Sequence, residues 1–358
     1  MTSPTPQKPG RARIRWIDAA RAFAVLAVLV MHYRAYVIIP LEDYPPAAAR
    51  IWRFVADQLT PVRMPLLLFM SGMLASTKLL NSTPGAISRG ISSLYLNGVW
   101  TTIYFAVSFL LVVSSPGQID SWNEWLLLLV TPGSNLWFVW ALAFWAFLFV
   151  FLKRLPAWLV LLVFASTNVA GILLRDIIPE GTQVMPVLRY GLFFAIGVYG
   201  GKYATRFLRS DVAPKAITLA FIYPVIDAIS KVDGIDRLGR VFLLDVRSIV
   251  GIGAVAAVLA ICCRWNLFAK ISGYIGRKTL PLFVCHLPLL WLVINNSTVH
   301  AVLTPHGLEL AWPLLGVIYL TAGSLLIDFS ARKIGAKHIF DVPEILIPPS
   351  ARTPRTRA

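Results

Sequence analysis

The chain has 358 residues, of which 57% are hydrophobic and only 14% are charged, with a formal net charge of +16. Soluble domains carry about 25% charged residues, so this composition excludes an ordinary soluble enzyme and a disordered protein. So basic a chain could bind nucleic acid, but a basic groove needs a soluble scaffold to present it. A polytopic membrane protein explains both values if the positive charges lie in short loops on one side.

Apolar stretches long enough to cross a membrane recur along the whole chain. A spanning helix needs roughly 20 mostly apolar residues. The sequence predicts an all-α transmembrane bundle of about ten such helices, at residues 16–39, 62–80, 90–113, 135–152, 156–174, 185–201, 213–230, 241–263, 276–295 and 309–329. The seventh is the weakest, because Tyr223, Pro224 and Asp227 interrupt it. A further short segment, residues 122–130, has the character of an interfacial or re-entrant helix.

The positions of lysine and arginine predict the orientation of the bundle. With the N-terminus placed inside, about two thirds of the basic residues fall in the inner segments, which is the bias expected of cytoplasmic loops. Both termini are therefore predicted to be cytoplasmic. The first and last predicted spans divide the chain into a basic tail at residues 1–15, a transmembrane domain at 16–330 and a second basic tail at 331–358.

The first predicted span carries three ionisable side chains, and such groups inside a membrane are candidates for function. Asp18 and Arg21 are three residues apart and can pair on one helix face. His32 follows Arg21 by eleven residues, so it lies on the same face, about 16 Å further along the axis. Two interpretations stay open: an anchoring ion pair with a structural histidine, or one functional stripe.

A second histidine, His286, lies in the ninth predicted span between Pro281 and Pro288, which can bend the helix and free backbone carbonyls. Two histidines on different spans could face one cavity. A metal site would need a third ligand at matching depth, and no His, Asp or Glu clearly supplies one. The three cysteines of the chain show no metal-site spacing either. No metal is therefore expected.

Four short elements follow one another in a fixed order along the chain. The first, residues 15–32, has Asp, then Arg three later, then His at its far end. The second is Met-Pro-Leu-Leu-Leu-Phe-Met-Ser-Gly at 64–72, and the third is Leu-Trp-Phe at 136–138. The fourth, residues 275–286, begins Ile-Gly-Arg-Lys-Thr-Leu and ends on the second histidine. Together these elements resemble the acyltransferase-3 family of integral membrane acyltransferases, and the resemblance covers nearly the whole chain.

The resemblance implies a membrane O-acyltransferase that moves an acyl group, commonly acetyl, from cytoplasmic acyl-CoA to a hydroxyl of a sugar or glycolipid of the cell envelope. It places the chain among the lipids of a bacterial plasma membrane, with no nucleic-acid partner. His32 would be the general base, because a neutral imidazole can accept the proton of a weakly nucleophilic sugar hydroxyl. Asp18 and Arg21 would then serve its placement.

The resemblance also implies a donor site and a substrate cavity. Three basic side chains are expected to receive the phosphates of coenzyme A: Arg21, Arg89 and Lys78. The family's Arg-x-x-Arg element entering the third span is only half present here, since Ser92 stands three residues after Arg89. Lys78 could compensate for the missing arginine. The substrate cavity is expected to include His286, Ser71 and Trp137.

The alternative function is a multi-span transporter or flippase of a glycolipid or small molecule. Histidines and arginines inside a membrane also mark substrate pathways. Transporters often show internal repeats, and no repeat is visible in this sequence.

Overall fold

The computed structural model describes residues 14–111, 117–178 and 182–351, and every regular element in these ranges is helical. Within them, thirteen α-helices follow one another: α1 Arg15–Tyr33, α2 Pro46–Asn81, α3 Thr83–Leu110, α4 Trp122–Val130, α5 Trp137–Leu152, α6 Ala157–Leu173, α7 Val184–Phe207, α8 Val212–Ser230, α9 Arg237–Cys262, α10 Asn266–Arg277, α11 Thr279–Asn295, α12 Ser297–Leu303 and α13 Trp312–Lys333. A π-helical segment, Arg34–Ile38, continues α1 directly. Residues 1–13 and 352–358 of the two predicted tails lie outside the described residues.

Each of the ten predicted stretches overlaps a helix of the bundle. By length and composition, six of the described helices could cross a membrane: α1 with its π-helical segment, α2, α7, α8, α9 and α13. A seventh span arises if α10 and α11, which are bent by 69° at their junction, count as one. Helices α5 and α6 are apolar but shorter. The chain is therefore an all-helical, multi-pass membrane protein.

Helix α2 begins sixteen residues earlier than the predicted start at residue 62. The hydropathy pattern misses this part because it is amphipathic. Trp52 is buried and its indole N–H donates to the carbonyl of Leu310 at 3.0 Å, whereas Arg50 and Arg53 are exposed. Pro46 occupies the first helical position, where its missing N–H costs nothing. The early start places the whole segment before residue 62 within the bundle.

The predicted ninth span is also divided differently, since α10 ends at Arg277 and α11 begins at Thr279. Close to this break lies Gly276, where a Cβ atom would collide with the backbone carbonyl of Asp18. Only a glycine lets α10 cross α1 this closely. The sharp bend that follows brings the start of α11 beside α1.

Helix α1 lies at the centre and packs against α2, α9, α10, α11 and α13. Helix α2 in turn packs closely on α7 through two glycines. A Cβ at Gly72 would collide with the carbonyl of Phe194, and one at Gly197 with the carbonyl of Phe69. Small residues at such crossings let backbones approach. This contact fixes the register of α2 against α7.

The polar residues that weaken the seventh predicted span have partners inside the bundle. The Tyr223 hydroxyl donates to the carbonyl of Gln58 at 2.7 Å. Asp227 pairs with the buried Arg247 at 2.7 Å, and Arg247 also donates to the Gln58 side chain at 3.0 Å. Tyr223 and Asp227, which interrupt the predicted span, therefore form polar contacts that join α8 to α9 and α2.

We call the end of the bundle where α1 begins and α13 ends the inner end, and the opposite end the outer end. That the inner end faces the cytoplasm stays a prediction. Beyond α13, part of the predicted C-terminal tail packs on α3. The Trp100 indole N–H donates to the carbonyl of Ile339 at 2.7 Å, and its ring lies 5.4 Å from that of Phe340.

Candidate active site

His32 and His286 meet in the interior of the bundle. Nδ1 of His32 lies 2.7 Å from Nε2 of His286, and the ring centroids are 4.8 Å apart. Nδ1 of His286 lies 2.6 Å from the carbonyl oxygen of Phe283. His286 is fully buried, whereas His32 is partly exposed. The sequence raised the possibility that the two histidines share a cavity, and the structure places them in direct hydrogen-bond contact.

The carbonyl of Phe283 fixes the proton positions in this pair. A carbonyl oxygen only accepts, so Nδ1 of His286 carries a proton. A neutral His286 then presents an unprotonated Nε2, to which His32 donates from its own Nδ1. Nε2 of His32 is left with a free lone pair. The contact with His286 therefore sets the tautomer of His32 and leaves Nε2 of His32 able to accept a proton.

Local helix geometry positions each histidine. His32 lies in the last turn of α1, immediately before the π-helical segment, and π-helical turns occur often at functional sites. Tyr36 in that segment has its ring centroid 5.6 Å from that of His32. On α11, His286 lies two residues before Pro288, which interrupts the helical hydrogen bonding.

Asp18 and Arg21 form the predicted ion pair nearer the inner end. Nη1 of Arg21 lies 3.8 Å from the Asp18 carboxylate, and Asp18 is buried. Nη2 of Arg21 donates to the Thr279 hydroxyl at 2.8 Å. The arginine therefore joins α1 to the first residue of α11. This contact helps hold the two histidine-bearing helices side by side.

A cavity of about 240 Å³ lies next to this pair, and we call it the inner cavity. Its polar lining consists of Arg21, Ser71, Arg89, Ser92, Ser93 and Thr279. Phe138 and Phe283 also line it, with their rings 5.0 Å apart. The Phe283 ring is 5.9 Å from that of His286. The inner cavity thus extends from two arginines to the aromatic wall beside the histidine pair.

The remaining predicted site residues divide into two groups. Ser71 and Arg89 line the inner cavity, and Arg89 has no hydrogen-bond or ion-pair partner within the described ranges. Lys78 lies exposed in the last turn of α2, outside the cavity lining. Trp137 stacks on Tyr190 with centroids 5.9 Å apart, and its neighbour Phe138 lines the cavity instead.

A second pocket, of about 210 Å³, lies on the outer side of the histidine pair, and we call it the outer pocket. Tyr36 connects the two, because it lines this pocket and contacts His32. The other polar side chains of the lining are Gln118, Glu124, Ser134, Asn135 and Gln183. The outer pocket therefore presents amides, hydroxyls and one carboxylate to a ligand.

Sequence reasoning missed Arg63 on α2. Its guanidinium interacts electrostatically with the His32 imidazole. The signal lay in the spacing Arg63, Leu67, Ser71, which places all three on one helix face. That face was not recognised because residue 63 falls at the very edge of the predicted span. No group of three or more His, Cys, Asp or Glu side chains fit to hold a metal ion occurs in the described part of the chain.

Comparison with known proteins places these features in one domain type. A family model described as an acyltransferase domain matches residues 14–329, which include every element of the site. No curated protein and no solved structure matches the chain.

Proposed function

The chain belongs to the acyltransferase-3 family, and we propose that it is a membrane O-acyltransferase of a bacterial plasma membrane. It moves an acyl group, most simply acetyl, from acyl-CoA at the inner end to a hydroxyl of an envelope sugar or glycolipid. The observation that supports this proposal most is the hydrogen-bonded pair of His32 and His286. The pair lies between a cavity that contains arginines and a pocket lined by amides, hydroxyls and one carboxylate.

His32 acts as the general base. A hydroxyl is a weak nucleophile, so its proton must leave as its oxygen attacks the thioester carbonyl. Nε2 of His32 takes that proton while the new C–O bond forms and the carbonyl electrons move onto oxygen. When the tetrahedral intermediate collapses, the C–S bond breaks and the leaving thiolate takes the proton from His32. His286 keeps Nδ1 of His32 protonated throughout, which directs the basic nitrogen to the reaction.

The inner cavity suits the donor. Arg21 and Arg89 supply two cations there, and guanidinium groups bind phosphates with paired hydrogen bonds. Arg89 is the stronger candidate, since its guanidinium has no partner among the described residues and is available to an anion. Lys78 is exposed nearby on α2 and attracts the phosphates from a distance. The narrow pantetheine arm of coenzyme A then carries the thioester past Phe138 towards His32.

The outer pocket suits the acceptor. Amide and hydroxyl side chains can donate to and accept from several sugar hydroxyls at once. Glu124 also lines this pocket, and its carboxylate can accept hydrogen bonds from sugar hydroxyls. The Tyr36 ring lines the pocket and its centroid lies 5.6 Å from that of His32, so only this ring separates the pocket from the histidine. An acceptor bound there presents a hydroxyl to the basic nitrogen without crossing the membrane.

Purified protein in vesicles tests the proposal. Labelled acetyl-CoA is supplied on one side and a panel of envelope sugars and glycolipids on the other. We expect label on an acceptor hydroxyl, and only when the donor has access to the inner end. If no acceptor receives label while a panel compound crosses the vesicle membrane, the chain is a transporter and the proposal fails.

A further inference from the structure

Arg63 extends the stripe of α2 that faces the inner cavity. Leu67 and Ser71 line the cavity, and Arg63 lies one turn beyond Leu67 on the same helix face. Four residues correspond to about 6 Å along the helix, so the stripe continues from the cavity towards the outer end. The Arg63 guanidinium interacts electrostatically with His32 and with Tyr190. This arginine therefore lies at the depth of the histidine pair.

The guanidinium of Arg63 is not neutralised by the protein. Its Nη1 is buried and has no hydrogen-bond acceptor, and no carboxylate pairs with it within the described ranges. Two other cations of the bundle, the buried Arg247 and the half-buried Lys278, have carboxylate partners. Arg247 pairs with Asp227 at 2.7 Å, and Lys278 pairs with Asp328 at 2.5 Å. A purely structural arginine inside a bundle would be expected to have such a partner, because an uncompensated buried charge is strongly destabilising.

The donor phosphates are not the missing anion. In the proposed function they meet Arg21 and Arg89 in the inner cavity, whose lining does not include Arg63. Arg63 lies eight residues from Ser71, which is about 12 Å further towards the outer end. The proposed acyl transfer at His32 generates a negative charge at about this depth.

We propose that Arg63 stabilises the oxyanion that forms on the acyl carbonyl when the acceptor hydroxyl attacks the thioester. This inference rests on the proposed acyl transfer at His32. As the hydroxyl proton passes to Nε2 of His32, the carbonyl oxygen gains the negative charge, and the unpaired N–H groups of Arg63 donate to it. When the C–S bond breaks, the oxygen returns to a neutral carbonyl and the charge leaves with the thiolate. Preorganised donors in a dry site are the usual means of stabilising such an intermediate.

The test measures acyl transfer by Arg63→Met and Arg63→Lys, with Arg53→Ala as the matched control. Arg53 lies on the same helix but is exposed. We expect Arg63→Met to lower kcat by about 10²- to 10³-fold, as the loss of one oxyanion donor does elsewhere. KM for donor and acceptor should change little. Arg63→Lys should retain part of the activity, and Arg53→Ala all of it.

Chemical rescue separates a catalytic guanidinium from a packing defect. Free guanidinium ion should restore part of the activity of Arg63→Ala and none of that of His32→Ala. Stabilisation of each variant against heat by coenzyme A reports that it is folded. The proposal is overturned if folded Arg63→Met keeps kcat within about threefold of the wild type. It is also overturned if the loss appears only in KM for the acceptor, which would assign Arg63 to acceptor binding.

The same data distinguish this inference from the proposed function. If His32→Ala is inactive while Arg63→Met is active, only the role of Arg63 fails. If the wild-type protein transfers no acyl group at all, the proposed function fails first.

Discussion

Replacing His286 by alanine tests whether the second histidine orients the first. The substitution removes the acceptor that lies 2.7 Å from Nδ1 of His32 and leaves that N–H unpaired in the bundle interior. An unsatisfied buried donor costs about 1–3 kcal/mol. If this cost falls on the catalytically competent tautomer, kcat should drop by about 5- to 150-fold. KM for the donor should stay unchanged, because the arginines of the inner cavity are untouched.

The assay is the rate at which labelled acetyl passes from acetyl-CoA to the acceptor at saturating donor. His286→Gln should recover part of the loss, since its side-chain oxygen can accept from Nδ1 of His32. His306→Gln, at an exposed histidine near the outer end, should have no effect on kcat. If folded His286→Ala keeps kcat within about twofold of the wild type, the tautomer argument is refuted.

Three further outcomes follow from the packing and the charges. Gly197→Ala should lower the stability of the detergent-solubilised protein by about 1–3 kcal/mol, because its Cβ would meet the backbone of α2. Gly200→Ala, with ordinary space around its Cβ, should not. Arg247→Ala should lower the stability of the solubilised protein by about 3 kcal/mol, since its ion pair is buried. Thermal unfolding in detergent measures this loss and the effects of the two glycine variants. Lys231→Ala, which removes an exposed partner of the Asp227 carboxylate, should lower the stability by less than about 1 kcal/mol. Arg89→Ala should raise KM for acetyl-CoA at least about tenfold, measured with initial rates, because charged hydrogen bonds contribute about 1.5–3 kcal/mol.

The helices of the bundle could be predicted from hydropathy because the membrane requires long apolar segments. The errors lie where another physical effect outweighs hydropathy. Residues 46–61 belong to α2 although they are amphipathic, since one face packs inward through Trp52. The ninth predicted span is broken between α10 and α11, beside the close approach of Gly276 to α1, and no local pattern reveals that approach.

Part of the geometry of the candidate site could be predicted from the sequence. The prediction that Arg21 and His32 share a face of α1 follows from helical spacing alone. Their partners required the fold: His286 and Thr279 are more than 250 positions away along the chain. Arg63 was missed because a charge at the edge of a span looks like a loop residue until the helix is seen to start earlier. The outer pocket combines loops and helix ends, so no contiguous motif indicates it.

The most direct measurement of the central claim is the rate of acyl transfer by His32→Ala, compared with the wild type at saturating donor and acceptor. If Nε2 of His32 is the base, kcat should fall by about 10²- to 10⁴-fold, while coenzyme A still stabilises the folded variant. Transfer by His32→Ala at the wild-type rate would contradict the account.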